Sequence, residues 1–565
     1  MYATVQSADA RTFDKKAVID VICVGGGAAG LSAAVCARAF GLNVLLLEKD
    51  DQVGGATAFS GGAVWVPDNA SMPHGDDLES ARTYLRGVLG NDYDATKIDA
   101  YLSQATEMLA FLEQVSEVRF GGLQSPDYYP NLPGASRGRT IMAMSFDARR
   151  LGRRLAMMRL PLAPLTLNGM QFEMQDLATL QNALKSPTGL VRSSVLLARY
   201  LLGRLRYGRD PRLVRGNALV GRLLISAFDS GVSVWTKAEI RSVSRKDASA
   251  PFRVEVAVAD RREVLLARNL VLATGGFGAS PDLVSQYMPQ DAGRRTLQPP
   301  ANTGDGIAIG SRLGGRMETE NAAPAIWSPV SEAVVRGRKV RFPHLMMDRL
   351  KPGSLMVTGT GRRFTNEGGS YQEVVEAMHH QKIDVAYLVA DRDFVRRYGL
   401  GLVRPAPFSF SWALRSGYLV RRSTLEELGQ ALGLPAGGLV DTVERFNGFA
   451  RSGVDDDFQR GDDAYSRHHG EPGHAPNPGL GEIRRPPFFA IRLYPGNLGT
   501  VQGLRTDAHA RVLDAASHPI PGLYACGADM NSIMRGHYPG GGASIGAAMT
   551  FAYIAAKDMA QNADA

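Results

Sequence analysis

The stretch VIDVICVGGGAAG at residues 18–30, followed by NVLLLEK at residues 43–49, decides how the chain begins to fold. Residues 18–24 are apolar, rich in β-branched side chains, and run straight into glycine, the pattern of a buried parallel strand. Gly25, Gly27 and Gly30 fit G-x-G-x-x-G, with Ala28 and Ala29 inside the motif, and a helical pattern follows to about residue 40. A second strand pattern at residues 43–47 ends at Glu48. Each position has a physical reason. Gly25 permits the tight turn, Gly27 lets the backbone approach a pyrophosphate, and Gly30 lets the helix close on the strand. The pyrophosphate rests at the helix N-terminus, where free N–H groups and the helix dipole favour negative charge. Glu48, about 20 residues on, is placed to accept hydrogen bonds from a ribose hydroxyl. A glycine turn alone has steric explanations. Strand, helix, second strand and acid in this order point to a bound dinucleotide.

At 565 residues the chain is too long for one ordinary core, so two domains are expected. With 44% hydrophobic and 21% charged residues, the composition is that of a globular protein rather than a disordered chain. No run approaches the roughly 18 apolar residues of a membrane-spanning helix. Residues 1–17 carry Asp9, Arg11, Asp14, Lys15 and Lys16, and the apolar run after them leads into glycines instead of a cleavage site. A cytoplasmic location is the plain expectation. Cys23, Cys36 and Cys526 form no C-x-x-C pair and lie in apolar stretches, as buried thiols do, so neither a disulfide nor a metal is expected. The net charge of +8 is dispersed over arginines without a zinc module or aromatic-basic repeat, which argues against nucleic acid. The pairs His379–His380 and His468–His469 lack the convergent partners of a metal site and read as surface residues.

Further segments carry a resemblance. Residues 49–62 (KDDQVGGATAFSGG), residues 270–276 (LVLATGG) and residues 522–529 (GLYACGAD), the last followed by a glycine-rich turn and a helix from about 543, resemble the flavin-holding segments of the fumarate reductase/succinate dehydrogenase flavoprotein family. Residues 302–306 (NTGDG) read as the last flavin contact before the chain crosses over. The resemblance implies FAD, held by Lys49, Gly55, Ala56, Thr57, Ser60, Gly61, Gly62, Ala238, Thr274, Gly275, Gly276, Asn302, Asp305, Gly527, Ser544 and Ile545 beside the turn residues. The closing helix would aim its positive N-terminus at the flavin edge that gains negative charge on reduction. Covalently flavinylated members attach through a histidine near this first segment, and residues 49–72 contain none, so a non-covalent FAD is implied.

Both chain ends then belong to one Rossmann-like α/β FAD-binding domain, residues 1–314 and 488–565. An α+β substrate domain, residues 315–487, is inserted between them. Residues 450–485 are rich in Asp, Gly, Pro and His and read as a long irregular loop. Residues 155–222 are rich in leucine and methionine, with arginines at 192, 199, 204, 206, 209, 212, 215 and 222. Two readings stand open. One is a helical cap whose arginines face water; the other is an amphipathic surface that rests on a membrane and admits an apolar substrate.

The substrate follows from departures within the family. Its carboxylate reductases place a proton-donating arginine four residues after an Asn-Glu pair; here Asn366-Glu367 leads to Tyr371. A second arginine position has become Tyr538-Pro539-Gly540-Gly541-Gly542, and the stretch that carries a substrate histidine reads GTVQG at residues 499–503. A dicarboxylate would be buried there without partners, which costs several kcal/mol. A neutral ketone would not. The replacements resemble the 3-ketosteroid Δ1-dehydrogenases over nearly the whole chain, although residues 155–222 are longer than in compact members and Gly541 replaces a proline. That resemblance implies that Tyr538 and Gly542 hold the steroid C3 carbonyl and that Tyr371 takes the C2 proton. Tyr128, in Asp127-Tyr128-Tyr129-Pro130, would assist it, with Tyr129 as the alternative. Hydride would pass from C1 to flavin N5, and an external electron acceptor would restore the flavin. The other readings are a related FAD enzyme of another cyclic ketone or enone, including a Δ4-(5α)-ketosteroid, and a non-catalytic flavoprotein at a membrane surface.

Overall fold

The computed structural model describes residues 18–72, 75–181, 183, 186–259, 261–289 and 295–563. Residues 1–17, on which the location was argued, lie outside this range. The strand Ile19–Val24 is the centre of an eight-stranded sheet. It pairs in parallel with Val44–Leu47 on one side and with Arg261–Leu272 on the other. Ser233–Trp235 and Pro519–Ala525 extend the sheet in parallel, and Arg511–Leu513 closes one edge. The hairpin Ala238–Ser244 and Phe252–Val258 lies antiparallel along the front of Arg261–Leu272. The central strands Ile19–Val24 and Val44–Leu47 are almost wholly buried because helices cover the sheet, among them Ala28–Ala39, which packs on Ala543–Ala563. Chain order reverses beside the first strand, which opens a crevice at the carboxyl ends of the strands. Gly25 and Gly30 close that corner. Gly25 has φ +110°, and a Cβ there would stand 2.2 Å from the Ala273 carbonyl oxygen; one on Gly30 would stand 1.9 Å from the Gly25 carbonyl oxygen.

A second, antiparallel sheet runs Arg338–Pro343, Ala325–Val335, Phe488–Thr500, Ala386–Asp391, Ser354–Val357, with Val420–Arg422 also on Phe488–Thr500. Its central strand Phe488–Thr500 lies in the stretch expected to belong to the flavin domain. The chain leaves the flavin sheet near Met317–Glu318 and returns at Gly503–Leu504, two short strands that pair with each other. We therefore propose the second domain crossing at about residue 500 rather than 487. The stretch 450–485 is not wholly irregular, since Ala464–His469 is a helical turn capped by Asp463.

Residues 155–222 divide in two. Met174–Gln181 and Pro187–Tyr207 form an outer layer, whereas residues 215–222 open the buried helix Arg215–Asp229. The arginines divide with them. Arg192, Arg199, Arg204 and Arg206 are exposed, but Arg209, Arg212, Arg215 and Arg222 are half-buried, contrary to a water-facing row. Arg212 pairs with Glu173 and Asp176, while Arg222 donates to the carbonyls of Glu117, Met144 and Ser145.

Candidate active site

A cavity of about 1030 Å³ runs from the glycine turn to the edge of the second sheet. Gly25, Gly27, Ala28, Ala29, Glu48, Lys49, Gly55, Ala56, Thr57, Ser60, Gly61 and Gly62 line its first arm, along with Ala238, Thr274, Gly275, Asn302, Asp305, Gly527, Ser544 and Ile545. Two expected contacts are not on this wall. Gly30 packs helix against strand, and Gly276 makes room for Thr500, whose Oγ1 would lie 2.0 Å from a Cβ at that position. Sequence reasoning missed Arg159 and Thr500, which line the cavity, and Asp529, which orders its wall. Asp529 accepts from the Thr274 N–H and hydroxyl and from the Gly276 N–H. Glu48 is anchored by the N–H groups of Gly26 and Asp50, both at 2.9 Å, and burial raises its pKa. Lys49 and Asp305 join each other at 2.7 Å across the mouth of this arm.

The donors fit a dinucleotide. A Cβ on Gly27 would meet only Thr57 Oγ1, at 3.8 Å, so the turn is open where phosphates would approach. Thr500 Oγ1 is buried without a hydrogen-bond partner among the described residues, a polar atom aimed at a missing neighbour.

The second arm carries the phenols. Tyr128, Tyr371 and Tyr538 form a triangle, with ring centroids 5.6 Å apart for Tyr128–Tyr371, 5.8 Å for Tyr128–Tyr538 and 5.7 Å for Tyr371–Tyr538. All three are buried and all three line the cavity. They come from three parts of the chain, and each is fixed locally. Tyr371 opens the helix Tyr371–His380, whose N-cap Ser370 and Glu373 form a reciprocal capping box. Gln372 ties that helix to the Gly536 carbonyl. The Tyr128 N–H donates to the Pro539 carbonyl at 3.0 Å, and Thr140 Oγ1 donates to the Gly541 carbonyl at 3.0 Å, so the two loops are stitched together. Tyr129 turns away: it is not on the cavity, and its N–H faces the Tyr84 hydroxyl. Gly542 has φ +93°, and a Cβ there would sit 2.5 Å from the Ala63 carbonyl carbon. Its N–H has no hydrogen-bond partner among the described residues and lies at the N-terminus of Ala543–Ala563.

Beneath the triangle lies a layer the sequence did not reveal. Tyr465 packs against Tyr128 at a tilt, with ring centroids 4.9 Å apart, and its buried hydroxyl lacks a well-formed partner. His469 packs 4.6 Å from Tyr465, and Ser125 Oγ stands 3.1 Å from its Nε2. His469 is thus no surface residue. Burial, with His468, Lys351 and Arg349 nearby, pushes it down to about 3 and keeps it neutral. His379 is also half-buried, against Trp327. Arg349 is fully buried and spends its guanidinium on carbonyls: Nε on His344, Nη1 on Glu367 and Gly369, Nη2 on Leu345. These bonds shape the turn that presents Tyr371. Burial raises the pKa of both Tyr128 and Tyr371 well above the ordinary phenol value, while the Arg349 charge opposes the rise at Tyr128. The Asn366-Glu367 pair proves architectural, because buried Glu367 holds Arg363 at 2.7 Å and Arg460 at 3.5 Å.

Comparison with known proteins agrees with this geometry. A family model described as an FAD binding domain matches residues 20–545. The 3-oxosteroid 1-dehydrogenase of Mycolicibacterium smegmatis is 36% identical, over 97% of this chain and 98% of its own. A 4-oxocyclohex-2-ene-1-carboxylate 5-dehydrogenase of Sinomonas cyclohexanicum is 34% identical, over 98% of this chain and 95% of its own. The crystal structure of 3-ketosteroid delta1-dehydrogenase from Sterolibacterium denitrificans, in complex with 1,4-androstadiene-3,17-dione, superposes with a TM-score of 0.88 at 34% identity, covering 96% of this chain and 100% of that one. With an FAD-binding fold, a phenol-lined cavity and relatives of matching length, the chain belongs to the 3-ketosteroid Δ1-dehydrogenase family of FAD-dependent oxidoreductases acting on CH–CH groups.

Proposed function

We propose that this enzyme dehydrogenates a 3-ketosteroid between C1 and C2, with Tyr371 as the base. The observation that carries the reading is the triangle of Tyr128, Tyr371 and Tyr538 beside the free N–H of Gly542. The Tyr538 hydroxyl and the Gly542 N–H donate to the C3 carbonyl oxygen and stabilise the enolate as it forms; donors of this kind contribute about 3–4 kcal/mol each. Tyr371 removes the C2 proton as a phenolate, and Tyr128 donates to that phenolate and spreads its charge. Arg349, through Tyr128, holds negative charge on the phenol pair. Bound FAD supplies the hydride acceptor for C1. Loss of the C2 proton and the C1 hydride leaves the C1–C2 double bond. FAD is held non-covalently, and an external acceptor restores it for the next turnover.

A small cyclic keto acid is the second reading, since Lys351, Arg397 and Arg404 also line the cavity. Their charges are already engaged. Lys351 donates to the carbonyls of His469 and Gly470, Arg397 pairs with Glu471, and Arg404 holds the carbonyls of Pro164 and Thr166. Turnover with an artificial acceptor separates the two. A steroid product lighter by two hydrogens, with 4-oxocyclohexanecarboxylate untouched, supports the steroid reading; the reverse pattern refutes it.

A further inference from the structure

The helix Pro187–Tyr207 is amphipathic with its apolar side outward. Leu201, Leu202 and Leu205 are exposed at 55, 67 and 84%, and Leu190, Val191, Val195 and Leu197 are exposed one to four turns earlier. At about 100° per residue these seven fall within one arc of about 160°. The inward side carries Gly189, Ser193 and Gly203, small residues that let the helix lie close; a Cβ on Gly203 would stand 2.5 Å from Pro211. Arg192, Arg199 and Arg206 border the apolar arc on one side and Arg204 on the other, and residues 187–207 contain no carboxylate. Among the described residues, no helix is long and apolar enough to cross a membrane.

We propose that this face docks on an anionic lipid bilayer, with its leucines among the acyl chains and its arginines at the headgroup phosphates. An exposed apolar stripe rimmed by like charge calls for an apolar surface that carries the opposite charge. A second copy of the chain supplies the first and not the second, because an isologous pairing would set arginine against arginine. The face is also joined to the cavity. Phe172 and Leu177 line the cavity, Met174–Gln181 packs on the apolar helix, and Tyr200 on that helix donates to the Asn168 carbonyl at 2.7 Å. An apolar substrate dissolved in lipid would meet the cavity on its membrane side; this half of the proposal rests on the steroid reading, whereas docking does not.

Co-sedimentation of the full-length, FAD-loaded protein with vesicles tests it. The protein pellets with phosphatidylglycerol-containing vesicles and much less with pure phosphatidylcholine. Raising salt from about 0.1 M to about 1 M, which shortens the screening length from about 10 to about 3 Å, releases part of it. The double variant Leu201→Glu/Leu205→Glu touches neither the cavity nor the core; it loses at least tenfold in vesicle partition and keeps its turnover of detergent-dispersed substrate. Protein that stays in the supernatant with anionic vesicles at low salt overturns the proposal. So does a variant that pellets like the parent, or one whose only effect is to dissolve a dimer in solution. Vesicle binding without turnover of any 3-ketosteroid would leave docking standing and remove only the route of substrate entry.

Discussion

Tyr371 stands between two other phenols, and the proposed mechanism depends on how they share one negative charge. Tyr371→Phe is expected to lower kcat by about 10²–10⁴-fold, the usual worth of a positioned base, with the visible spectrum of the flavin unchanged. Turnover near that of the parent would remove the assignment. Burial holds Tyr128 and Tyr371 above the ordinary phenol value, so with Tyr371 as the proposed base turnover is expected to rise with pH into the alkaline range. The same shift acts on stability with the opposite sign. The unfolded chain loses its phenol protons near pH 10 while the folded chain keeps them, so stability is constant below that pH and falls above it. Arg349→Met removes the cation beside Tyr128, and the alkaline rise of kcat should move to higher pH, with Arg349→Lys recovering part of the shift. An unmoved profile would leave Arg349 a purely structural role. The three tyrosines were picked out by family resemblance, through the short motif around each. Tyr465 and Arg349 were not, since they join the site only through folding, and nothing around residue 465 signals a partner at residue 128.

The elements that present these residues depend on a few buried contacts. The loop carrying Tyr128 is anchored by Asp127, which accepts from Trp65 Nε1 at 2.7 Å and from Arg139 at 2.8 Å. Arg139 is fully buried and also holds Asp76 at 2.7 Å. Arg139→Met would strand two buried carboxylates and should cost about 3–5 kcal/mol, read as a lower denaturation midpoint. Gly25→Ala would drive a methyl group into the Ala273 carbonyl and spoil the turn; the purified protein should be colourless, lacking the flavin absorbance. The strand–turn–helix unit was legible because its determinants lie within about 30 residues. The outer helix was legible only as amphipathic. Which side it turns inward is settled by Gly203 against Pro211, a packing fact that periodicity does not contain. The strand Phe488–Thr500 was grouped with the flavin segments for a related reason: its apolar pattern fits either sheet.

The cavity lies between the two sheets and joins them. In the proposed division Tyr128 and Tyr538 fall in the flavin-binding part and Tyr371 in the inserted part, so the proposed base and carbonyl holders meet only when the two are assembled. The dinucleotide arm touches residues from position 24 to position 551 and should stabilise the assembly. Removing FAD should lower the denaturation midpoint, and restoring it at about 100 times its Kd should return about 2.7 kcal/mol. Domain count and insertion were read from the split flavin segments, whereas the meeting of the tyrosines was read only from family resemblance. The most direct test of the whole account is anaerobic mixing of the yellow protein with androst-4-ene-3,17-dione while the flavin absorbance is followed. Bleaching, with a 1,4-diene as the product, is the predicted result. A flavin that stays oxidised with every 3-ketosteroid offered would contradict it.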